Sequence, residues 1–440
     1  MQGGIRVKRI IGLAICLVAL AGAARLGAQP LPTARPEDVG ISSQRLERIG
    51  EAFRKDIDQG KLPGVVIMIA RKGKLVYSEA FGFQDKAAGT PMPKDAIFRV
   101  YSMTKPFVEV AAAMLMEEGR LQLADSISKY LPEFKNEQVS VPSRDALGQA
   151  TYKTIPAERE PTVQDLMRHT AGLAYGEITA NKLVRDAYAK GGLWKPDFDY
   201  NVTDLTPEEF VQRLAQAPLA YQPGTVWEYS LAIDLLGRVV EKASGQRLGD
   251  FLAERLFKPL GMTDSGFWVP KEKLSRVAQP LATDPATGKP IHLIDVSQQP
   301  KEDAGGAGSV STASDYLRFC QMLLDGGRLD NAQILSPTTV ALMTSDQLGP
   351  DIRRAVSPGE LLMGVQGYTF GLGFMVRQQP GLSAVPGSQG EFMWAGYSGT
   401  FFWVEPKEQL VAVMMDQAPG PSRAYYRRQI KQLVDQALVE

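Results

Sequence analysis

Cysteine and histidine are scarce in this sequence of 440 residues, and each shortage excludes a class of structure or chemistry. The two cysteines are too few for a disulfide framework or for a cysteine-based zinc site. Cys320 lies in an apolar helical stretch, which predicts a buried structural thiol. The two histidines, His169 and His292, nearly exclude a multi-histidine metal site, and any Ser-His-Asp triad would depend on one of them.

A net charge is also missing, since 49 lysines and arginines balance 49 aspartates and glutamates. Proteins that bind nucleic acid usually carry a basic excess or a basic stripe, so no nucleic-acid partner is expected. Apolar residues make up 44% of the chain and charged residues 22%, which is typical of a globular protein. The length is sufficient for two or three domains or for one elaborate fold.

Residues 1–28 have the pattern of a signal peptide. Three basic residues precede an uncharged apolar run at 10–24, and small residues suitable for cleavage follow it. The run is shorter than the roughly 18 residues of a membrane span, so no stable membrane anchor is expected after cleavage. An uncleaved N-terminal anchor is the alternative, and the isoleucine before Cys16 disfavours a lipoprotein. We expect a periplasmic or secreted protein.

Strand-like sequence is concentrated at both ends of the remaining chain. The runs 65–70 and 75–80 are rich in apolar and β-branched residues and predict a hairpin. Further strand-like runs lie at 368–376, 392–404 and 410–415. Apolar residues at helical spacing predict a first helix that ends near Gly60 and a last helix near the C-terminus.

This distribution predicts an α+β architecture in which one antiparallel sheet is assembled from the two chain ends. Residues 29–40 are rich in proline and are expected to be a linker, and residues 41–440 are expected to form one domain. The middle of the chain, roughly 131–300, contains mostly helical patches and loops and is expected to be a helical subdomain inserted into the sheet-bearing part.

The first candidate nucleophile is Ser102 in the segment Ser102-Met103-Thr104-Lys105. If a helix begins here, Lys105 lies one turn after Ser102 on the same face. A lysine amine that is desolvated can be neutral and accept the serine proton. The same spacing occurs at Ser126 and Lys129, where the preceding aspartate indicates a turn and a helix cap. A helix cap is also the alternative role for Ser102.

Histidine is not the favoured general base. No G-x-S-x-G elbow is present, because the nearest segment, 396–400, ends in threonine, and this disfavours an α/β-hydrolase. His169 precedes the turn at Gly172 and is interpreted as structural, and no pattern around His292 indicates catalysis. The base would then be a lysine or a tyrosine.

Several segments together resemble the serine β-lactamase and penicillin-binding-protein superfamily, closest to class C β-lactamases and family VIII carboxylesterases. The first motif is Ser102-Met103-Thr104-Lys105, the second is Tyr229-Ser230-Leu231, and the third is Trp394-Ala395-Gly396. The stretches 169–173 and 305–312 also resemble recurrent segments of this superfamily. These landmarks span residues 37 to about 437.

The resemblance implies a β-lactamase/transpeptidase-like fold, with the active site between the sheet-bearing part and the helical subdomain. It implies that Ser102 forms an acyl-enzyme and that Lys105 and Tyr229 share the general acid and base work. It also implies that the backbone N–H groups of Ser102 and Tyr397 form the oxyanion hole. No metal and no organic cofactor is implied. A core aromatic is the alternative role for Tyr229.

Two positions depart from the β-lactamase pattern. Leu231 replaces the usual asparagine, and Trp394 replaces the usual lysine, which removes the cation that would hold a substrate carboxylate. Family VIII esterases carry this tryptophan form. We therefore expect Trp394, Leu231 and Gly396 to contact the substrate, with the glycine letting the strand approach it closely. Strand packing is the alternative role for Trp394.

The expected protein is an exported serine hydrolase, a carboxylesterase that acts on small neutral esters. One alternative is a β-lactamase or a D-alanyl carboxypeptidase, for which the partner would be an amide. Another is an acyltransferase that passes the acyl group to an alcohol. A non-catalytic scaffold is the last alternative, and the presence of Ser102, Lys105 and Tyr229 counts against it.

Overall fold

The fold is organised by one antiparallel sheet in the computed structural model, which describes residues 30–195 and 204–440. The predicted signal peptide, residues 1–28, lies outside the described residues. The strands in the described residues are β1 (Gly64–Arg71), β2 (Lys74–Asp85), β3 (Thr90–Pro91), β4 (Phe98–Arg99), β5 (Gln138–Arg144), β6 (Ala150–Pro156), β7 (Val226–Trp227), β8 (Val310–Ser311), β9 (Arg328–Leu329), β10 (Ala332–Gln333), β11 (Arg353–Arg354), β12 (Tyr368–Phe370), β13 (Met375–Arg377), β14 (Phe392–Ala395), β15 (Gly399–Glu405) and β16 (Leu410–Gln417).

The helices belong to the sheet-bearing part and to the segment inserted into it. They are α1 (Ser43–Asp58), α2 (Lys105–Glu117), α3 (Val163–Met167), α4 (Lys182–Lys190), α5 (Pro207–Ala215), α6 (Ala232–Ser244), α7 (Leu248–Leu252), α8 (Lys258–Leu260), α9 (Ala313–Leu324), α10 (Pro337–Met343), α11 (Pro358–Met363) and α12 (Arg423–Asp435). No helix among the described residues is long and apolar enough to cross a lipid bilayer.

The main sheet joins the two chain ends. Its strand order is β12-β13-β14-β15-β16-β1-β2-β3, and neighbouring strands are antiparallel. Strand β1, from the N-terminal part, pairs with β16, from the C-terminal part, in a register that places Ile67 opposite Met414. The prediction of one antiparallel sheet assembled from both ends is confirmed.

The core lies on both faces of the central strands. Every residue of β1, β15 and β16 is buried, so helices must cover both faces of the sheet. Helix α1 packs against β2 and α12, and α9 packs against β1, β15 and β16. In α1, Leu46, Ile49 and Phe53 recur at helical spacing on the buried face, and the Ser42 side chain caps the first turn. Cys320, in α9, is buried and free, as predicted.

The segment expected to be a linker, residues 29–40, is instead attached to the sheet over its described part. The Ala34 N–H donates to the Leu75 carbonyl (3.1 Å), and the Leu75 N–H donates to the Pro32 carbonyl (2.8 Å). The buried guanidinium of Arg71 donates to carbonyl groups near both chain ends. Proline lacks an N–H donor but keeps its carbonyl acceptor, so a proline-rich segment can still pair along one side.

The inserted segment at 131–300 is less helical than expected. It carries α3 to α8, but it also carries the hairpin β5–β6, in which Gln138 lies opposite Pro156. Most residues of this hairpin are at least partly exposed, and the alternation of apolar and polar residues that indicates a half-buried strand is confined to short runs such as 138–141.

A buried ion-pair network attaches α12 to the edge of the main sheet. Glu391, just before β14, is fully buried and pairs with Arg377 of β13 (2.9 Å) and Lys431 of α12 (2.8 Å). The Tyr368 hydroxyl donates to the same carboxylate (2.7 Å). The carboxylate of Glu391 and the two cations that contact it are all buried, so each of these charges depends on its partner for compensation.

We predict that Glu391→Gln destabilises the protein, because it leaves the Lys431 ammonium and the Arg377 guanidinium buried without their shared carboxylate. Removing one member of a buried ion pair typically costs about 3–5 kcal/mol. Chemical denaturation of the two proteins, followed by circular dichroism, measures the difference in the free energy of unfolding.

The control for this experiment is Lys94→Met, which breaks the half-exposed pair of Lys94 and Glu79 (3.3 Å). Exposed ion pairs contribute about 1 kcal/mol or less, so this variant is expected to unfold like the wild type. Equal effects of the two substitutions would show that the Glu391 network does not hold α12 against the sheet.

Candidate active site

Ser102 lies at a strained turn between a strand and a helix. Strand β4 ends at Arg99, a 3₁₀ helix covers Tyr101–Thr104, and α2 follows at once. Tyr101 has a positive φ of 46°, which a bulky residue rarely adopts, and such strain is concentrated at functional sites. No side-chain capping bond is present at the start of either helix, so Ser102 is not a helix cap.

The second Ser-x-x-Lys segment is different. The Ser126 side chain caps the short 3₁₀ helix Ile127–Lys129 by accepting the Ser128 N–H, and its hydroxyl donates to Glu160. Lys129 is paired with Asp125 on the surface (2.8 Å). The cap predicted for Ser126 is confirmed.

Lys105 is the centre of the site. Its side chain is 1% exposed, and Nζ donates to the Gly306 carbonyl (2.7 Å), to the Tyr175 hydroxyl (3.0 Å) and to Ser102 Oγ (3.4 Å). These three oxygen atoms can accept the three protons of an ammonium group, whereas a deprotonated amine has a lone pair that can accept the Ser102 proton. No carboxylate in the described residues lies within ion-pair distance of Lys105. The geometry connects the amine directly to the hydroxyl that it would deprotonate.

The backbone of Gly306, whose carbonyl accepts from Lys105, is also bound at its N–H. The Gly306 N–H donates to Asp234 Oδ1 of α6 (2.9 Å). A Cβ atom at this position would lie 2.2 Å from the Asp234 carboxylate, so only glycine allows this approach. The glycine-rich segment 305–312 therefore supplies a backbone acceptor to Lys105.

Tyr229 lies beside Lys105 with its hydroxyl unused. Its ring centroid is 4.6 Å from Lys105 Nζ, and its ring packs between those of Tyr175 and Trp394 (5.2 and 5.3 Å). The hydroxyl is buried and has no hydrogen-bond partner within the described residues. Buried hydroxyls are normally paired, so an orphan one beside the candidate nucleophile indicates a place for a substrate atom or a water molecule.

Tyr175 belongs to the site, although sequence reasoning did not identify it. It is 6% exposed, and its hydroxyl accepts a hydrogen bond from Lys105. The sequence signal that could have identified Tyr175 is its position two residues after the stretch 169–173. That stretch resembles a recurrent segment of the superfamily, but it does not by itself indicate a catalytic role for the residues that follow.

Leu231 does not contact the cavity. It is fully buried at the N-terminus of α6, where its N–H donates to the Ala174 carbonyl (3.3 Å), and it is not among the lining residues. The expectation that it touches the substrate is therefore wrong. Tyr175, rather than the third residue of the second motif, supplies the polar group next to Lys105.

The third motif lies along the other side of the site. The run predicted as one strand at 392–404 is divided into β14 and β15 by a turn that carries Gly396 and Tyr397. Trp394 is in the cavity wall but only 1% exposed, packed between Tyr229 and Phe370 (both 5.3 Å between ring centroids). Its side chain supports the Tyr229 ring, and direct contact with a substrate stays a prediction.

Gly396 allows a close approach of backbone to backbone. A Cβ atom there would lie 2.3 Å from the Val100 carbonyl and 2.2 Å from Thr400 Oγ1. The expected reason for this glycine was close approach to the substrate. The structure gives another reason, because the turn after β14 packs directly against the segment that precedes Ser102.

These side chains border a cavity of about 580 Å³, within the usual size range of small-molecule sites. Ser102, Tyr229, Ala307 and the three residues of the third motif are among the residues that line it. The other lining residues are Tyr101, Tyr175, Glu177, Ile178, Leu361, Leu362, Tyr397, Gly420, Pro421, Arg423, Ala424 and Arg427.

Neither histidine is placed to act as a base. His169 is 1% exposed, and its Nδ1 forms a hydrogen bond with Ser230 Oγ (3.1 Å). Burial holds the pKa of His169 well below its usual range, with a further contribution from the nearby Lys105 charge, so the ring is neutral. His292 is exposed and is not among the residues that line the cavity. The described residues include no cluster of acidic, histidine and cysteine side chains able to hold a metal ion.

A family model described as Beta-lactamase matches residues 49–435. The chain belongs to the β-lactamase family. Esterase EstB of Burkholderia gladioli is 30% identical over 395 residues, which cover 85% of this chain and 90% of EstB. Protein Rv1367c of Mycobacterium tuberculosis is 35% identical over 375 residues, with coverage of 83% and 88%.

The fold agrees with this assignment. The solved structure of EstCE1, described as a hydrolase with promiscuous acyltransferase activity, has a TM-score of 0.71 at 28% identity, covering 89% of this chain and 98% of EstCE1. The predicted β-lactamase/transpeptidase-like fold is confirmed. The family and its esterase relatives place this chain in the serine hydrolase superfamily.

We predict that Lys105→Met and Tyr229→Phe each lower the kcat for an activated ester by about 10²–10⁴-fold, as expected for general acid–base groups. The double variant should lose little more than either single variant, because the two groups act on the same proton transfer. Steady-state kinetics, with the melting temperature of each variant as a check on folding, measures this.

The matched control is His292→Ala, whose exposed side chain lies away from the cavity. It should retain the wild-type kcat. Loss of turnover in folded His292→Ala, or strictly multiplicative losses in the double variant, would contradict this assignment of the proton-transfer groups.

Proposed function

We propose that this protein is a carboxylesterase that hydrolyses small neutral esters through an acyl-enzyme on Ser102. The observation that carries the proposal is the hydrogen-bonded pair of Ser102 and Lys105 in a largely apolar cavity whose third motif begins with Trp394. The named function of EstB, the similar esterase from Burkholderia gladioli, supports the same reaction class.

The reaction has two halves. Ser102 Oγ attacks the ester carbonyl carbon, its proton passes to Lys105 Nζ acting as the general base or through the Tyr229 hydroxyl, and the carbonyl oxygen becomes an oxyanion. The backbone N–H groups of Ser102 and Tyr397 stabilise that oxyanion. When the tetrahedral intermediate collapses, the leaving alcohol takes up the proton and the acyl group stays on Ser102. A water molecule then repeats the sequence and releases the acid.

The preference for neutral substrates follows from the charges in the cavity. A substrate carboxylate needs a cation with free donors, and a charge-assisted hydrogen bond contributes about 1.5–3 kcal/mol, or about 10–150-fold in kcat/KM. Trp394 offers none. The two arginines of the lining, Arg423 and Arg427, are directed at the backbone, where each donates to two carbonyl groups. An uncharged acyl or alcohol group fits the apolar lining better.

Acyl transfer to an alcohol is the second candidate function. The same acyl-enzyme permits it, and EstCE1, at 28% identity, is described as a hydrolase with promiscuous acyltransferase activity. Adding an alcohol such as n-butanol to the hydrolysis assay and measuring the ester product determines how the acyl group is divided between alcohol and water.

We predict that p-nitrophenyl acetate and butyrate have a higher kcat/KM than a chromogenic cephalosporin or a D-Ala-D-Ala peptide. Slow β-lactam hydrolysis is compatible with the proposal, because both reactions would use the same nucleophile. The measurement is kcat/KM for each substrate with the purified protein. A preference for the β-lactam or the peptide would contradict the esterase proposal and favour a β-lactamase or a carboxypeptidase.

Two variants identify the nucleophile in the same assay. Ser102→Ala should retain only background hydrolysis and should not be labelled by a fluorophosphonate probe. Ser126→Ala, at the other Ser-x-x-Lys segment, is the matched control and should behave like the wild type. A covalent adduct mapped to Ser126, or full activity of Ser102→Ala, would show that the mechanism is wrong.

We also propose that the protein is exported, on the basis of the basic and apolar pattern of residues 1–28. Expression of the full chain in a Gram-negative host should place the protein in the periplasm or the medium, with an N-terminus at Ala24 or Gln29. A chain that retains residues 1–28 in the cytoplasm or in the membrane would contradict this proposal.

A further inference from the structure

Two arginines of α12 bind the backbone of the turn after β14. Arg427 Nη2 donates to the Gly396 carbonyl (2.6 Å), and Arg423 Nη1 donates to the Tyr397 carbonyl (3.2 Å). The two arginines are four residues apart and therefore lie on the same face of the helix. Two consecutive carbonyl groups next to the candidate nucleophile are thus bound by charged donors.

The Arg427 guanidinium is buried without an ion-pair partner. It is 4% exposed, and within the described residues no carboxylate lies within 4 Å of it. Its Nη1 donates to the Leu362 carbonyl (2.9 Å). Burial lowers the pKa of Arg427, as does the charge of Arg423, while Asp416 opposes this shift. Arginine remains protonated in proteins, so this buried charge is directed at two backbone carbonyls.

The orientation of the bound peptide follows from its planarity. No cis peptide bond occurs in the described residues, so the Tyr397 N–H points away from the Gly396 carbonyl and hence away from Arg427. A strong hydrogen bond to the carbonyl also polarises the amide and makes its N–H a better donor. The contact of Gly396 with the Val100 carbonyl keeps this peptide close to Ser102.

We propose that Arg427 is a positioning residue for the oxyanion hole, because it orients and polarises the peptide whose N–H, that of Tyr397, receives the oxyanion. The proposal rests on the acyl-enzyme mechanism proposed above. The hydrogen bonds of Arg427 go to the Leu362 and Gly396 carbonyls and not to Ser102, so it would act on the oxyanion through the backbone. Because the oxyanion forms only in the transition state, its effect should fall on kcat and not on KM.

The test compares three variants on a p-nitrophenyl ester and on the matching thionoester, in which sulfur replaces the carbonyl oxygen. Sulfur is a weak hydrogen-bond acceptor, so an oxyanion hole favours the ester over the thionoester. The variants are Arg427→Met, Arg427→Lys and Arg428→Met. Arg428 is the matched control, since it is the next residue of α12 and donates to the Met363 carbonyl.

Arg427→Met should lower kcat for the ester by about 10²-fold, near the lower end of the loss seen when one oxyanion donor is removed. KM should change little, and the ratio of kcat/KM for the ester to that for the thionoester should fall. Arg427→Lys should recover part of the loss in kcat and part of the loss in the ratio, because an ammonium keeps the charge but lacks the rigid fork of donors that a guanidinium directs at two carbonyls. Arg428→Met should match the wild type.

The proposal is overturned if folded Arg427→Met keeps the wild-type kcat, or if its losses are equal for the ester and the thionoester, since a purely structural role would slow both alike. If Arg427→Met does not fold, a folded Arg427→Lys with the wild-type kcat and ratio overturns it. Ser102→Ala tests the acyl-enzyme mechanism itself. If that variant still hydrolysed the ester, the mechanism proposed above would be wrong, whatever the effect of the Arg427 substitutions.

Discussion

The position of Lys105 is the constraint on which the rest of the site depends. A lysine side chain that is 1% exposed must have partners for its polar end, and its three acceptors come from three separate parts of the chain. Ser102 belongs to the same helical start, Tyr175 to the inserted segment, and Gly306 to the glycine-rich segment after it. The inserted segment and the sheet-bearing part must therefore pack against each other at this amine for the lysine to be buried at all.

Backbone groups, as well as side chains, form the candidate site. Gly306 and Gly396 each occupy a place where a Cβ atom would overlap a neighbouring group, which allows the backbone to approach Lys105 at one position and the Ser102 segment at the other. Each backbone unit is then held by a buried charged side chain, Asp234 at Gly306 and Arg427 at Gly396. Buried charges at these positions provide orientation, and their desolvation is compensated by charge-assisted hydrogen bonds.

The C-terminal helix has two functions in this arrangement. Lys431 joins it to the buried carboxylate of Glu391, and Arg427 joins it to the turn after β14. These contacts lie just before and just after β14, the strand that carries Trp394, so this strand is held beside the cavity by the last helix of the chain. Membership of the β-lactamase family agrees with this architecture, in which the two chain ends build the sheet and the middle of the chain covers the site.

Local patterns were sufficient for much of this description. The strand runs near both ends of the chain, the helix with Leu46, Ile49 and Phe53, the cap at Ser126 and the pairing of Ser102 with Lys105 all depend on spacings of a few residues, which periodicity and helix geometry relate directly to structure. Tyr175, the burial of Leu231 and the arginines that bind the Gly396 and Tyr397 carbonyls could not be predicted in this way. Each depends on which distant segments pack together, and a contact between residues far apart in the chain leaves no periodic signal in the sequence.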